Sequence, residues 1–464
     1  MFRRPCAPSR RKTETEILQN NTDAEVSGMR KNRKFWAALI IFSLTGQIAW
    51  VVENMYFNVF IYKMFHASAA DIALMVTASS AAATLTTILI GALSDRIGKR
   101  KIFMCAGYIA WGVSIIAFAL IRADVISAVF GSAVSAASVG ITLVIILDCV
   151  MTFFGSTAND AAYNAWLTDS TDPGNRGAAE GINSMMPLIS ILVVFGGFMG
   201  FDLDRASSWT TIYCVIGGLV LAIGILGFFL VEEAPAQQPD SLGYFATILY
   251  GFRPDVVRKN VILYLSMAAF MIFNISIQIY MPYLIIYYEQ TLGMADYVLI
   301  MAPAILLAAA VTFFFGRLVD RKGFRRTVLP AMGMLGAGFL LLWLIPAKIP
   351  AEGMAMKIPV FIGSLLMMSG YLSGMAAFGT QLRNYTPERM AGRFQGLRIL
   401  SQVLIPGIIG PQIGAWVLRD APVIENSDGT TSFLPGAEIF LAALVALGIA
   451  AAAVAARLLR TRKK

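Results

Sequence analysis

Histidine and cysteine are scarce: there is one His, His66, and four Cys, Cys6, Cys105, Cys149 and Cys214, in 464 residues. A single imidazole removes His-rich metal centres from consideration, and the position of His66 outside the expected spans argues against His-based catalysis. The cysteines lack ligand spacing, and three sit inside apolar runs, where a small buried hydrophobe is the default reading. The sequence contains neither the Gly-x4-Gly-Lys-Ser/Thr phosphate loop nor a His-Glu-x-x-His helix. That excludes ATP-driven pumping by this chain alone, and the chain reads as no enzyme. Charge is also thin, at 14% Asp, Glu, Lys and Arg against about 25% in an ordinary soluble domain. With 57% hydrophobic residues, an aqueous surface cannot be built.

What is present is a series of apolar runs, each long enough to cross about 30 Å of hydrocarbon as a helix. Closing them at charges, Gly or Pro predicts spans at 35–61, 72–93, 102–121, 141–168, 179–200, 210–230, 260–287, 296–317, 327–345, 358–383, 394–418 and 436–457. The stretch 123–139 is rich in Ala and Ser and reads as an outer loop or short surface helix, with a thirteenth span as the alternative. The resulting organisation is a cytoplasmic basic tail 1–34, six helices over 35–230, a cytoplasmic linker 231–259, six helices over 260–457 and a basic tail 458–464. The first tail has no short apolar segment of the signal-peptide kind. With the amino terminus inside, 31 Lys and Arg fall in the inner loops and tails. Six fall outside: Lys63, Arg122, Arg205, Lys348, Lys357 and Arg419. This asymmetry places both termini in the cytoplasm of a multi-pass plasma (inner) membrane protein. It also accounts for the net charge of +9 without a nucleic-acid partner. The expected partners are the lipid bilayer and a small-molecule substrate, with the chain acting as a monomer.

An internal repeat follows. Gly91-Ala-Leu-Ser-Asp95-Arg96-Ile-Gly98-Lys99-Arg100 recurs 225 residues later as Gly316-Arg-Leu-Val-Asp320-Arg321-Lys-Gly323-Phe-Arg325-Arg326. A second landmark, Arg176-Gly177 to Gly181, is echoed at an offset of 215 by Gly392-Arg393 to Gly396. Two related halves are implied. In the first landmark Gly91 and Gly316 allow helices to approach, Gly98 and Gly323 permit tight turns, and the basic residues hold the loop at the anionic inner face. Asp95 and Asp320 are placed to switch partners as the halves rock.

The doubled Gly-x-x-x-Asp-Arg-x-Gly pattern resembles the signature loop of the major facilitator superfamily. Twelve spans and the half-chain repeat match that family over nearly the whole chain. The resemblance implies an all-α membrane protein with twelve transmembrane helices in two pseudo-symmetric six-helix bundles. Gly46-Gln47-Ile-Ala-Trp50 leading to Asn54, and Asn159-Asp160-Ala-Ala-Tyr163-Asn164-Ala-Trp166, are similar to the glycoside–pentoside–hexuronide (melibiose permease-like) cation symporter branch. Melibiose-type members place two acids on the second helix, whereas 72–93 here holds none.

Three acids lie deep within the spans: Glu53, Asp148 and Asp160. Each must face a cavity, carry a proton or hold a cation, because an ionised side chain in hydrocarbon costs roughly 2.5–3.5 kcal/mol on insertion scales. They are the candidate coupling groups for a proton or sodium ion, with no other cofactor. Asp160 lies nine residues, roughly 13 Å, from the inner end near Asp169, and Asp148 about 31 Å from it, close to the outer mouth. Polar stripes at three- and four-residue spacing make Gln47, Trp50, Asn54, Asn159, Tyr163 and Asn164 candidate substrate contacts; the 225-residue register adds Gln278 opposite Glu53 with Asn274 one turn before it, and Trp166, like Trp50, offers an aromatic face to a sugar. Pro187, Pro282, Pro303, Pro406 and Pro411 sit inside spans, where they bend helices or form gates. The expected function is cation-coupled uptake of a sugar or glycoside by alternating access. A proton-coupled efflux antiporter and a transporter-like sensor are the alternatives.

Overall fold

The computed structural model describes residues 33–131, 135–171, 175–233, 250–345, 354–386, 396–426 and 429–460. Most of the 1–34 tail, the middle of the 231–259 linker, the landmark residues Gly392 and Arg393, and positions 461–464 fall outside the described residues. Among the described residues twelve helices are long and apolar enough to span a bilayer. We number them α1 (Arg33–Phe65), α2 (Ala69–Ser94), α3 (Arg100–Leu120), α4 (Ala136–Asp169), α5 (Arg176–Phe198), α6 (Ala206–Leu230), α7 (Val261–Thr291), α8 (Tyr297–Lys322), α9 (Phe324–Leu344), α10 (Ala355–Tyr385), α11 (Gly396–Val417) and α12 (Glu438–Ala456). Because the number is even, Arg33 and Arg460 lie at the same face, called here the terminal face; the opposite one is the far face.

Local sequence sets the helix ends. Ser68 caps α2 reciprocally with Asp71: the Asp71 N–H donates to Ser68 Oγ at 3.2 Å, and the Ser68 N–H donates to Asp71 Oδ2 at 2.9 Å. At the other end Gly98 takes φ +69°, the left-handed position glycine occupies without steric cost. Gly323 also takes a positive φ, +71°, between α8 and α9, but with ψ 168°, a region open essentially to glycine alone. The turn between α1 and α2 is less ordinary, since His66 holds φ +53° without being glycine.

The stretch 123–139 is not a span. Ala123–Phe130 is one short helix of eight residues, roughly 12 Å long, and exposes Val129 and Phe130. Arg122 donates to both Asp124 oxygens at 3.0 and 2.9 Å, which holds this carboxyl below its ordinary value. Residues 136–139 belong to α4, which starts at Ala136 rather than 141 behind the cap of Ser135. α4 therefore has 34 residues, and α1 and α7 each extend one turn beyond their expected far ends.

Each half packs through small residues. At the crossing of α3 and α6, a Cβ added to Gly112 would lie 2.5 Å from the Leu221 nitrogen and 2.6 Å from the Gly217 carbonyl oxygen. Only glycine allows that backbone approach. The outward faces carry Leu89, Val113, Ile146, Phe229, Phe314 and Val445, apolar side chains exposed to the lipid phase. Between the halves, α2 lies against α11 and α5 against α8. The link between α11 and α12 folds into a two-stranded hairpin, β1 (Val423–Glu425) and β2 (Thr431–Phe433), which reaches across the far face to the first half.

Candidate functional site

Two of the spanning helices widen locally from the i+4 to the i+5 hydrogen-bond ladder where the deep acids lie. These π-turns are Val52–Tyr56 in α1, with Glu53 and Asn54, and Ser156–Tyr163 in α4, with Asn159, Asp160 and Tyr163. Such turns break the regular periodicity and re-aim side chains, and they recur at functional sites. Two more, Tyr287–Thr291 in α7 and Leu400–Leu404 in α11, carry Glu289 and Gln402.

Glu53 is 8% exposed; Thr152 Oγ1 donates to its Oε1 at 2.8 Å, while Oε2 has no partner among the described residues. Asp148 is 1% exposed, faces Ser79 of α2, and leaves Oδ1 without a partner. Glu53 lies within electrostatic reach of both Asp148 and Asp160. Asp160 is half-buried and accepts a hydrogen bond from Ser156 Oγ at 2.9 Å. The expectation that Asp148 lies near the outer mouth is corrected. Because α4 begins at Ala136, twelve residues or roughly 18 Å separate Asp148 from its far end, so the group sits at mid-membrane beside Glu53. Around the acids, Trp50 and Trp111 pack at a tilt with ring centroids 5.0 Å apart, and among the described residues both indole N–H groups lack a partner, as does the buried Tyr213 hydroxyl. Orphaned polar atoms in such number are unusual in a packed interior and mark room for water, an ion or a ligand group.

The candidate substrate residues divide into two sets. Gln47, Trp50 and Gln278 are half-buried, and Asn54 and Asn164 are exposed, so all five are accessible. Asn54 Nδ2 donates to the Trp50 carbonyl at 2.7 Å, and Asn164 Nδ2 donates to the carbonyls of Asn159 and Asp160. The remaining four are buried and tied into the fold. Asn159 Oδ1 accepts from Tyr108 at 3.1 Å, and the same hydroxyl reaches the Phe42 carbonyl at 2.8 Å, bolting α1, α3 and α4 together. The Tyr163 hydroxyl meets Asn183 Oδ1 at 3.0 Å and the Leu39 carbonyl at 3.3 Å. Trp166 donates to the Glu232 carbonyl at 2.9 Å and packs on Phe35. Asn274 Nδ2 returns to the Phe270 carbonyl, one turn back in its own helix. In this conformation these four are packing residues, because their polar groups are already satisfied or enclosed.

The repeated loops are unequal. Arg100 is buried; its Nε donates to Asp169 Oδ2 at 3.1 Å and its Nη1 to Ser94 Oγ at 2.6 Å, while Glu233 Oε1 accepts from the Arg100 backbone N–H at 2.5 Å. Its repeat equivalent, Arg325, is exposed and among the described residues donates to the Leu458 carbonyl at 3.2 Å. Arg96, Asp320 and Arg321 are exposed, and the Asp95 side chain falls outside the described residues. The expectation that Gly91 and Gly316 bring helices into close approach is not met in this conformation. A Cβ on Gly91 would have its nearest neighbour at 4.0 Å, and one on Gly316 would meet nothing within 4 Å.

Sequence reasoning missed the far face. Lys63 pairs with Asp204 of its own half at 2.9 Å and with Glu289 of the other half. The Tyr56 and Tyr297 hydroxyls bond at 3.2 Å, Tyr62 donates to the Phe433 carbonyl at 2.7 Å, and Tyr283 donates to the Ala69 carbonyl at 3.0 Å. The Lys63–Glu289 pair and these three hydrogen bonds join the halves and close the far side. The signal was available: Lys63 and Glu289 are opposite charges 226 residues apart, almost the repeat distance, each just past an expected span end.

Twelve spans in two packed halves, closed at one face and lined with orphaned polar groups, describe a multi-pass membrane transporter. The sequence matches the Major Facilitator Superfamily over residues 35–411, and the chain belongs to that family. No curated protein matches it. Among solved structures, a bacterial homolog to the human lysosomal transporter Spinster, inward-facing and unoccupied, aligns with TM-score 0.63 at 15% identity, covering 93% of this chain and 97% of that one. The nucleoside transporter NupG aligns with TM-score 0.65 at 12% identity, covering 90% and 98%. At these identities the likeness is one of fold.

Proposed function

We propose that this transporter works by alternating access and couples inward movement of a neutral, hydroxyl-rich solute, a sugar or glycoside, to a proton or sodium gradient. The observation that carries this reading is the juxtaposition of two sealed acids, Glu53 and Asp148, with a half-buried third, Asp160, beside accessible amides at Gln47, Asn54, Asn164 and Gln278. Uncompensated carboxylates inside a low-dielectric bundle demand a cation or a proton. Amides on α1, α4 and α7 offer donors and acceptors from both halves to hydroxyl groups, and Trp50 offers an aromatic face. The Lys and Arg asymmetry supports a cytoplasmic terminal face in a plasma membrane. On that assignment the far-face contacts belong to an inward-facing state.

In proteoliposomes, Glu53→Gln and Asp160→Asn should each abolish gradient-driven accumulation. Counterflow of labelled substrate, which needs no net coupling, should survive. Retention of full accumulation by both variants refutes the coupling role. Screening sugars, glycosides, nucleosides and drug-like cations by thermal shift identifies the solute. Accumulation only when the proton gradient is reversed would favour an efflux antiporter using the same acids.

A further inference from the structure

Among the described residues, Lys63–Glu289 is the ion pair in direct contact that crosses from one half to the other, while Arg398 of α11 and Glu180 of α5 interact between the halves at longer range. It lies where α1 and α7 end, with the Lys63 side chain 4% exposed and that of Glu289 16% exposed. The neighbouring crossings are neutral hydrogen bonds of Tyr56, Tyr62 and Tyr283, whose hydroxyls exchange a protein partner for water when the surfaces part. A buried ammonium is different, because parting it from its only counter-charge leaves an unpaired ion inside protein. Lys63 has a second counter-charge. Asp204 Oδ1 lies 2.9 Å away on the link between α5 and α6, in the same half as Lys63, and its side chain is 74% exposed. The adjacent Arg205 is taken up by Asp202 at 2.9 Å, and the Asp204 N–H donates to Asp202 Oδ1 at 3.1 Å, so the turn presents Asp204 to Lys63.

We propose that Asp204 is the positioning residue of the far-face gate: when the halves separate, the Lys63 ammonium releases Glu289 and stays on Asp204. An ammonium has three donors and can hold both carboxylates when the gate is shut. In the open state Asp204 keeps it paired at the water's edge, and Glu289, whose Oε2 already lacks a protein partner, is taken over by solvent. Asp204 therefore stabilises the open form more than the closed one, and Glu289 does the reverse. This rests on the reading that the halves part at the far face during transport, but on neither the identity of the solute nor that of the coupling ion.

The test is hydrogen–deuterium exchange of the full-length protein in lipid nanodiscs without substrate, followed in peptides from the hairpin strands β1 and β2, which lose their contacts with Tyr62 and His66 of the first half, and with them their shielding from solvent, when the far face opens. Glu289→Gln should speed this exchange about tenfold, Asp204→Asn should slow it about threefold, and Glu289→Asp should stay near wild type. Thermal melting of the same samples reports folding separately. A purely structural cluster would move both neutralising variants in one direction. If both speed exchange, or neither changes it, the proposal is wrong. Should Glu289→Gln fail to fold, Asp204→Asn alone decides, because slower exchange supports the proposal and unchanged or faster exchange overturns it.

Discussion

Gly46 is where α1 crosses the π-turn of α4, and replacing it with alanine tests whether that crossing positions the candidate site. The new Cβ would lie 2.6 Å from both Asn159 Oδ1 and the Tyr108 hydroxyl, and 2.9 Å from Asn159 Cγ. Ordinary carbon contacts begin near 3.5 Å, so one or both polar groups must retreat by most of an ångström. They are bonded to each other at 3.1 Å, and the hydroxyl also holds the Phe42 carbonyl at 2.8 Å. Losing one such buried bond costs roughly 1–3 kcal/mol. Overpacking without loss of the bond costs a similar amount, so we expect about 1–3 kcal/mol by either route. Taking about 2 cal/mol/K of unfolding entropy per residue for the whole chain, 3 kcal/mol lowers the melting temperature by about 3 °C. Retained helices in the unfolded membrane state would enlarge that shift. Gly91→Ala supplies the control, since its nearest neighbour would be Ala161 Cβ at 4.0 Å, an ordinary contact. There the helix gains alanine's propensity, about 0.5–1 kcal/mol over glycine. The readouts are detergent melting curves and initial transport rates. If Gly46→Ala melts and transports like the wild type, the crossing does not position α4 and the reasoning fails.

The other predictions divide structural from substrate-facing residues. Arg100→Ala should cost roughly 3 kcal/mol by removing the guanidinium paired with the buried Asp169 carboxylate, whereas the exposed equivalent Arg325→Ala should stay within about 0.5 kcal/mol, both read by chemical or thermal denaturation. Equal losses would show that the repeat is energetically symmetric after all. Asn54→Ala and Gln278→Ala should each raise KM about fivefold or more with melting unchanged, the value of one hydrogen bond to solute. Tyr163→Phe should lower stability by about 1 kcal/mol and leave KM alone, so a KM effect there would return Tyr163 to the substrate site.

The helix count and the repeat were legible in the sequence because hydrocarbon imposes them: a span needs about twenty apolar residues and tolerates few charges. The same rule misplaced the ends of α1 and α7, where Lys63 and Glu289 closed the apolar runs but not the helices. These charges are tolerated because each finds its partner across the gap between the halves, a pairing no single run can reveal. The polar stripes on α1 and α4 were also visible, but a stripe does not say what it faces. Asn159 and Tyr163 share a face with Asn164, yet the former two are consumed by Tyr108 and Asn183 while Asn164 remains exposed. Asp148 was misplaced for a simpler reason: the start of α4 is an Ser- and Ala-rich segment whose weak hydrophobicity hid five helical residues.

The π-turns carry a consequence for how this protein could be re-engineered. Those of the first half, at Val52–Tyr56 and Ser156–Tyr163, would map by the repeat onto 277–281 and 371–378. The second half widens elsewhere, at Tyr287–Thr291 and Leu400–Leu404. The duplicated halves thus differ in backbone winding as well as in side chains, and a carboxylate is not portable between them. An acid grafted at Met375, the repeat equivalent of Asp160, would emerge from a regular helical turn and point in a different direction. Building a second coupling group would require transplanting the extra residue of the turn together with the acid.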